Sequence, residues 1–429
     1  MAHLMKHGRL IALTIAFLVA VVALHRPAPA QEKPTPAATA PFPTPDEVKK
    51  NWPSFRGPGG SGLAPDATLP PAWDGKTGEG ILWKTAIPVD GASSPVVWDK
   101  NVFVTGGSKE ESRVFCFDAD TGALRWSALV KIPEGARPEP PDVNEETGYA
   151  APTPVADGRR VYAVFPTGEV AAFDLTGKQV WARNIGPLNN TYGYAASPTI
   201  HQDRLLLQLD LDDPKKSRML ALDTATGKEV WSTPRPFGGS WSSPILAEYK
   251  KKAQLIACGN PFVIGYDPAN GKELWRIKAL ELDIAPTPIV VGKKIIAISS
   301  SVVALEPGVE DPAWDYSDCV PDIASPVSDG KYVYVLSTGG DLRCVEAATG
   351  KEVWAHDLDA KFSASPVIVG KTLLAVSESG VAYLVATGNK YKELGSRELN
   401  EDCVASPAPV GARLYIRGKL NLYCIGRKP

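Results

Sequence analysis

The sequence has no surplus of charge of either sign: 46 Lys and Arg stand against 48 Asp and Glu, a formal net charge of −2. A nucleic-acid binder gathers phosphates with a basic face, and a protein drawn to an anionic membrane needs a similar surplus, so neither partner is expected. Histidine is scarce: past residue 30 only His201 and His356 occur, and neither sits at metal-ligand spacing from a cysteine. The six cysteines include no adjacent pair, and none lies directly after the apolar run at 10–24, which argues against the lipid-anchored export route. That run is the one candidate span in the chain, and it is shorter than the about 20 apolar residues that cross a bilayer as a helix. The glycine-rich stretch Gly57-Pro58-Gly59-Gly60 lacks the Lys-Ser/Thr of a phosphate loop and reads as plain loop.

Lys6 and Arg9 before the apolar run, and Ala28-Pro29-Ala30 after it, read as an export signal over residues 1–30. Residues 31–48 are mostly Pro, Ala and Thr, with too few large apolar side chains to offset their own ordering entropy, and read as a flexible linker. Residues 49–429 remain as one folded domain. The expected location is the periplasm or the exterior, with the mature chain soluble and without stable membrane insertion.

A repeat runs through that domain. A Ser/Thr-Pro pair opening an apolar run occurs at Ser94, Thr153, Ser197, Ser243, Thr287, Ser325, Ser365 and Ser406, mostly 38 to 46 residues apart. Within each copy, short alternating runs are separated by turn residues such as Asp157-Gly158 and Asp329-Gly330, the order of a four-stranded meander. Eight such units at this period predict an all-β, eight-bladed β-propeller of four-stranded antiparallel blades. Eight equivalent hydroxyls at one repeat position point to the scaffold, each satisfying a backbone group near the channel, and not to a nucleophile.

The second half of the unit carries a sharper pattern. Asp118-x-x-Thr121-Gly122-x-x-x-Trp126 recurs as Asp223 to Trp231 with Gly227, and with small changes as Asp174 to Trp181, Asp267 to Trp275 with Gly271, and Glu346 to Trp354 with Gly350. The glycine supplies the left-handed turn before the fourth strand, and the tryptophan covers the seam to the next blade. Copies five and seven are degraded: Trp314 follows without a Thr-Gly turn, and the seventh has Leu384 for the acid and no tryptophan, so weaker seams are expected there. The eighth copy ends after three strands, whereas Trp83 in residues 81–84 lies on a fourth strand with no first three; these residues are expected to pair with 420–425 and close the last blade. Cys116, Cys344 and Cys424 share one repeat position and read as buried small hydrophobes, while a Cys319–Cys403 disulfide stays open.

The Asp-x-x-Thr-Gly-x-x-x-Trp copies resemble the tryptophan-docking motif of pyrroloquinoline quinone (PQQ)-type propellers, and Trp52-Pro53-Ser54-Phe55-Arg56-Gly57-Pro58 resembles the N-terminal signature of the BamB-like, planctomycete-type members. The resemblance implies one of two activities. One is a non-catalytic binding or scaffold propeller of the cell envelope, as in outer membrane assembly, with a protein or peptide partner. The other is a PQQ- and calcium-dependent oxidoreductase of alcohols or sugars. The lack of an adjacent cysteine pair and of a recognisable calcium-ligand set favours the first, with no catalytic residue, metal or cofactor expected; PQQ and calcium belong to the alternative alone. A propeller accessory to a carbohydrate-processing complex is a third reading.

A partner would meet the face built by the crossings between blades. Those after blades one to three are the longest or most aromatic and bring forward Tyr149, Tyr192, Tyr194, Phe237 and Trp241, with Arg137 and Arg235 tilting the preference towards an anionic or carbonyl group. Asp210, Asp212 and Asp213 read as a solvated acidic loop, His201 as a turn residue, and His356 as lying just past a fourth strand.

Overall fold

The computed structural model describes residues 42–133 and 138–427, so the expected export signal, the expected linker up to residue 41 and Arg137 lie outside the described residues. The first described element is a helical turn, Pro45–Lys49, capped by the Thr44 hydroxyl and by Glu47 reaching back to it. The last residues assigned to the flexible linker are therefore folded.

Eight four-stranded antiparallel sheets follow. Blade one runs Val96–Trp98, Asn101–Gly107, Ser112–Asp118 and Leu124–Leu129. Its β-branched and aromatic residues suit a surface packed on both faces, and its second strand is buried throughout. The fourth strand alternates between exposed and half-buried, as an outer strand with one solvated face should. Trp98 pairs directly with Asn101, so Asp99 and Lys100 make a two-residue turn, and Asp99 takes φ 50° there, a left-handed value that Asp tolerates. Blade eight is made from both ends of the domain: Ala408–Val410, Arg413–Arg417 and Asn421–Ile425 are completed by Ile81–Ala86, with Trp83 opposite Cys424. The expected closure is the observed one.

The residues ahead of that closing strand cross one mouth of the channel. Trp52 pairs with Val97 of blade one, the Pro53 carbonyl accepts from Ala156 of blade two, and Leu63–Ala64 adds a parallel strand to the inner edge of blade seven at Ile368 and Val369. Arg56, fully buried, donates to the carbonyls of Gly60, Ser61, Ser325 and Pro326, and its burial pulls the guanidinium pKa down to about 9. The N-terminal signature is thus a strap across the ring. Gly57, at φ 71°, is held against the Trp52 indole, where a Cβ would lie 2.5 Å from the ring.

Seams follow the docking pattern. The indole N–H groups of Trp83, Trp126, Trp181, Trp231, Trp314 and Trp354 donate to carbonyls of the next blade at Ala119, Leu175, Thr224, Pro268, Ala347 and Gly388. Each turn is held by its acid: Asp118 accepts from the Asp120 and Thr121 N–H groups, and Arg125 together with these donors keeps its carboxyl well below the usual range. Asp223, Asp174 and Asp267 make the same turn contacts.

The two degraded copies meet their neighbours in different ways. Trp314 of blade five docks fully on Ala347 and Gly350, so the degraded copy still covers the seam to blade six. The weakened seam is the one before it, because blade five offers no Thr-Gly turn to receive Trp275. That indole turns back onto its own blade, bonding Gln254 Oε1 at 2.7 Å and lying against Gly265. Blade seven has Gly395 opposite Leu384 where a tryptophan would stand, and Trp73 from the strap is buried instead in the cluster containing Leu384, Leu399 and Leu422. Blade eight does have a docking turn: Asp74 accepts from the N–H groups of Lys76 and Thr77, and Gly78 donates back to the Asp74 carbonyl, the pattern of Asp118 to Gly122.

Cys116, Cys344 and Cys424 are fully buried, as expected. All six cysteines are unpaired, including Cys319 and Cys403, and burial pushes both of those thiols up to about 12, where they are poor nucleophiles.

Candidate functional site

The eight Ser/Thr residues of the repeat form a closed hydrogen-bonded ring about the channel. The Ser94 N–H donates to Thr153 Oγ1 at 2.9 Å, the Thr153 N–H to Ser197 Oγ at 3.0 Å, and so on through Ser243, Thr287, Ser325, Ser365 and Ser406 until the Ser406 N–H donates to Ser94 Oγ at 3.0 Å. Each hydroxyl thus satisfies a neighbouring backbone donor, as the repeat position implied. The ring residues are between 2% and 5% exposed, and among the described residues no acceptor takes their O–H hydrogens. Thr153→Val, which keeps the shape and deletes the acceptor, strands the Ser94 N–H and is expected to lower stability by about 1–3 kcal/mol. Urea denaturation measures this, and a change within experimental error would mean that the ring is not structural.

The ring is the waist of a well of about 760 Å³. Phe55 of the strap lies at the docking-turn side, and the crossings wall the other side. Two positions before each Ser/Thr, the chain presents a second ring of wall residues: Ala92, Ala151, Ala195, Trp241, Ala285, Ile323, Ser363 and Val404. This is the period-2 consequence of an extended approach to each inner strand. Small residues open the well, while Trp241, Ile323 and Val404 narrow it on three blades. Leu282 at 69% exposed, Tyr192 at 48%, Val404 at 45% and Ile323 at 43% make an apolar rim. Glu146, Asp283 and Asp322 also line the well, and no Lys, Arg or His does so among the described residues.

The predicted partner residues divide sharply. Tyr192 and Trp241 line the well with their ring centroids 5.0 Å apart. Trp241 is anchored by its N–H to the Ile284 carbonyl, and its indole N–H is buried without a partner. Tyr149 is half-buried away from the well, its hydroxyl donating to the Pro141 carbonyl at 2.8 Å. Tyr194 is fully buried and donates to the Gln208 carbonyl, so it belongs to the core. Phe237 packs on Phe262 at 5.5 Å and is buried.

Arg235 is sealed in. Its Nε and Nη2 grip the two oxygens of Asp210 at 2.7 and 2.9 Å, and Nη1 donates to the Tyr266 hydroxyl at 2.7 Å, with both charged side chains 0% exposed. Burial alone would pull its pKa down, but Asp210 and Tyr266 reverse that and hold it above the ordinary guanidinium value. Arg235 therefore meets no partner, and Asp210 is no part of a solvated acidic loop. His356 lies within the fourth strand Glu352–Asp357 and stacks on Tyr391 at 3.7 Å. His201 ends the strand Thr199–His201 beside the turn.

Leu282, Asp283, Asp322, Ile323 and Val404 were not foreseen, because attention to the longest crossings passed over the short ones after blades four, five and seven. Alternation back from the Ser/Thr-Pro pairs would have found Ile323 and Val404.

The wall does not suit the calcium-bound quinone implied for the dehydrogenase branch. No group of three or more His, Cys, Asp or Glu able to share an ion occurs among the described residues. Among the described residues no basic side chain lines the well to meet an anionic cofactor, and the sequence has no adjacent cysteine pair to stack beneath one.

Comparison with known proteins gives both branches. The family model described as outer membrane protein assembly factor BamB matches residues 71–204, 110–317 and 300–415. The chain is 22% identical to the outer membrane protein assembly factor BamB of Bordetella pertussis over 82% of its own length and 75% of that protein's. It is 29% identical to the quinoprotein ethanol dehydrogenase of Pseudomonas putida, over 33% of its own length and only 22% of the dehydrogenase's. The solved structure of a europium-containing methanol dehydrogenase overlays with a TM-score of 0.68 at 11% identity, covering 89% of this chain and 99% of that one, which is likeness of fold alone.

Proposed function

This chain belongs to the BamB family of PQQ-repeat propellers, and from that premise we propose that it is a non-catalytic binding or scaffold protein of the cell envelope, exported and engaging an outer-membrane assembly component through its crossing face. The observation that carries the reading is the apolar rim. Leu282, Ile323, Val404 and Tyr192 are large apolar side chains left in solvent around one mouth of the ring, and clustered exposure of this kind marks a protein-binding surface. Trp241, half-buried beneath Tyr192, supplies the aromatic anchor around which such surfaces concentrate their energy.

In-cell photo-cross-linking from position 282 is expected to give a discrete adduct with an assembly component. Trp241→Ala should weaken it by about 2 kcal/mol in affinity without shifting the unfolding midpoint. The control is Val230, exposed on the outer strand of blade three. Equal adducts from 230 and 282, or dye-linked oxidation of an alcohol or sugar after loading with PQQ and calcium, would overturn the proposal.

A further inference from the structure

The well beneath that rim asks for a ligand of its own. Its volume of about 760 Å³ falls within the roughly 300–1,000 Å³ of small-molecule sites, and Phe55 of the strap is among the residues that line it. Three sets of groups line it: the hydroxyl ring with its unspent O–H donors, the exposed acids Glu146, Asp283 and Asp322, and the aromatic pair Tyr192 and Trp241.

Charge and hydrogen bonding together select among ligand classes. Among the described residues an anion would meet three carboxylates and no basic side chain. An organic cation would be drawn to the carboxylates but has no acceptor for the buried hydroxyl donors, which would remain unpaired. A purely apolar ligand would strand both sets. A neutral polyhydroxylated molecule offers acceptors to the ring, hydroxyl donors to the carboxylates, and a flat C–H face to Trp241.

We propose that the channel well is a binding site for a neutral saccharide of one or two rings, stacked on the Trp241–Tyr192 pair, with its hydroxyls donating to Asp283, Asp322 and Glu146 and its oxygens accepting from the Ser/Thr ring. The site shares Tyr192 and Trp241 with the proposed partner surface, but it is tested on the chain alone, so the two readings fail separately. No bond is made or broken; the saccharide is held.

Isothermal titration of the purified protein tests this with cellobiose, maltose and chitobiose as neutral probes, glucuronic acid as the anion, putrescine as the cation and tetra-alanine as the peptide. At least one neutral disaccharide should bind saturably with one site per chain. Trp241→Ala should weaken it about tenfold or more, and Asp283→Asn, at an exposed position that folding does not need, about threefold, with unchanged melting midpoints. The proposal is overturned if no neutral probe saturates, if the anion, cation or peptide binds as tightly, or if both variants bind like the parent protein. Titration with the purified chain contains no partner, so its failure leaves the cross-linking result standing on its own.

Discussion

Arg235→Ala is expected to lower the unfolding free energy by about 3–5 kcal/mol, among the largest losses available to a single substitution in this chain. The reason lies in what remains behind. Asp210 is left at 0% exposure without its cation, and its surviving side-chain partner, Gln208 Nε2 at 2.7 Å, is a neutral amide. A buried carboxylate without a counter-charge is far costlier than the pair is valuable, so the double variant Arg235→Met with Asp210→Asn should recover most of the loss. Salt should scarcely alter the effect, because the pair is sealed, whereas the surface pair Arg276–Glu273 is open to screening. The crossing that begins at Arg235 also carries Trp241, so the single variant should loosen the well: hydrogen exchange at Trp241 and Ser242, whose N–H groups now donate to the Ile284 carbonyl, is expected to rise. Urea unfolding gives the energies. A loss below about 1 kcal/mol, or a double variant no better than the single, would show that the ion pair is not what holds this crossing.

The ring, its eight blades and its closure were legible in the sequence because each rests on local chemistry repeated at a fixed period. Ser94 and its seven equivalents serve a backbone N–H one blade away, and the docking glycines meet a tryptophan face, so the same residue types return wherever the same contact is made. The docking turn of blade eight escaped notice although its residues are present: Asp74-x-x-Thr77-Gly78 stands five residues before Trp83 where the other copies have four, and it precedes the blade it completes. The direction of Trp275 was not legible either, because it depends on what blade five lacks and not on blade four. The buried fate of Arg235 and Asp210 shows a deeper limit. Crossings have no hydrophobic period, so a sequence does not say which side of a loop faces the core, and two opposite charges 25 residues apart give no sign that they will meet. The well, by contrast, mixes both kinds of information: the position of Ile323 and Val404 two residues before the repeat hydroxyl follows from strand alternation, while the exposure of Leu282 follows from the path of its own loop, where it takes φ 58°.

Trp83→Ala should cost about 3–5 kcal/mol, and Trp275→Ala only about 1–2 kcal/mol, although both tryptophans occupy the same repeat position. Trp83 is 8% exposed, bonds the Ala119 carbonyl at 3.1 Å, covers Gly122 so closely that a Cβ there would lie 2.5 Å from its ring, and packs on Tyr415 at 6.0 Å. It therefore touches blades one and eight at once. Its strand, Ile81–Ala86, joins Asn421–Ile425 through hydrogen bonds and packing alone, since no turn leads from one to the other. Elsewhere a blade's fourth strand follows its third directly along the chain, by a short turn in all but blade five, and cannot drift away. Trp275 is half-buried and bonds within its own sheet, and the turn from Tyr266 to Glu273 ties its strand in place whether or not the indole is present. Loss of Trp83 should consequently raise hydrogen exchange along both 81–86 and 421–425 and leave a sheet edge intermittently bare, a state prone to pairing with other chains. Loss of Trp275 should leave exchange at 262–266 unchanged. Equal destabilisation by the two substitutions, or fast exchange confined to blade four, would place the ring's weakest joint at the seam between blades four and five and not at its closure.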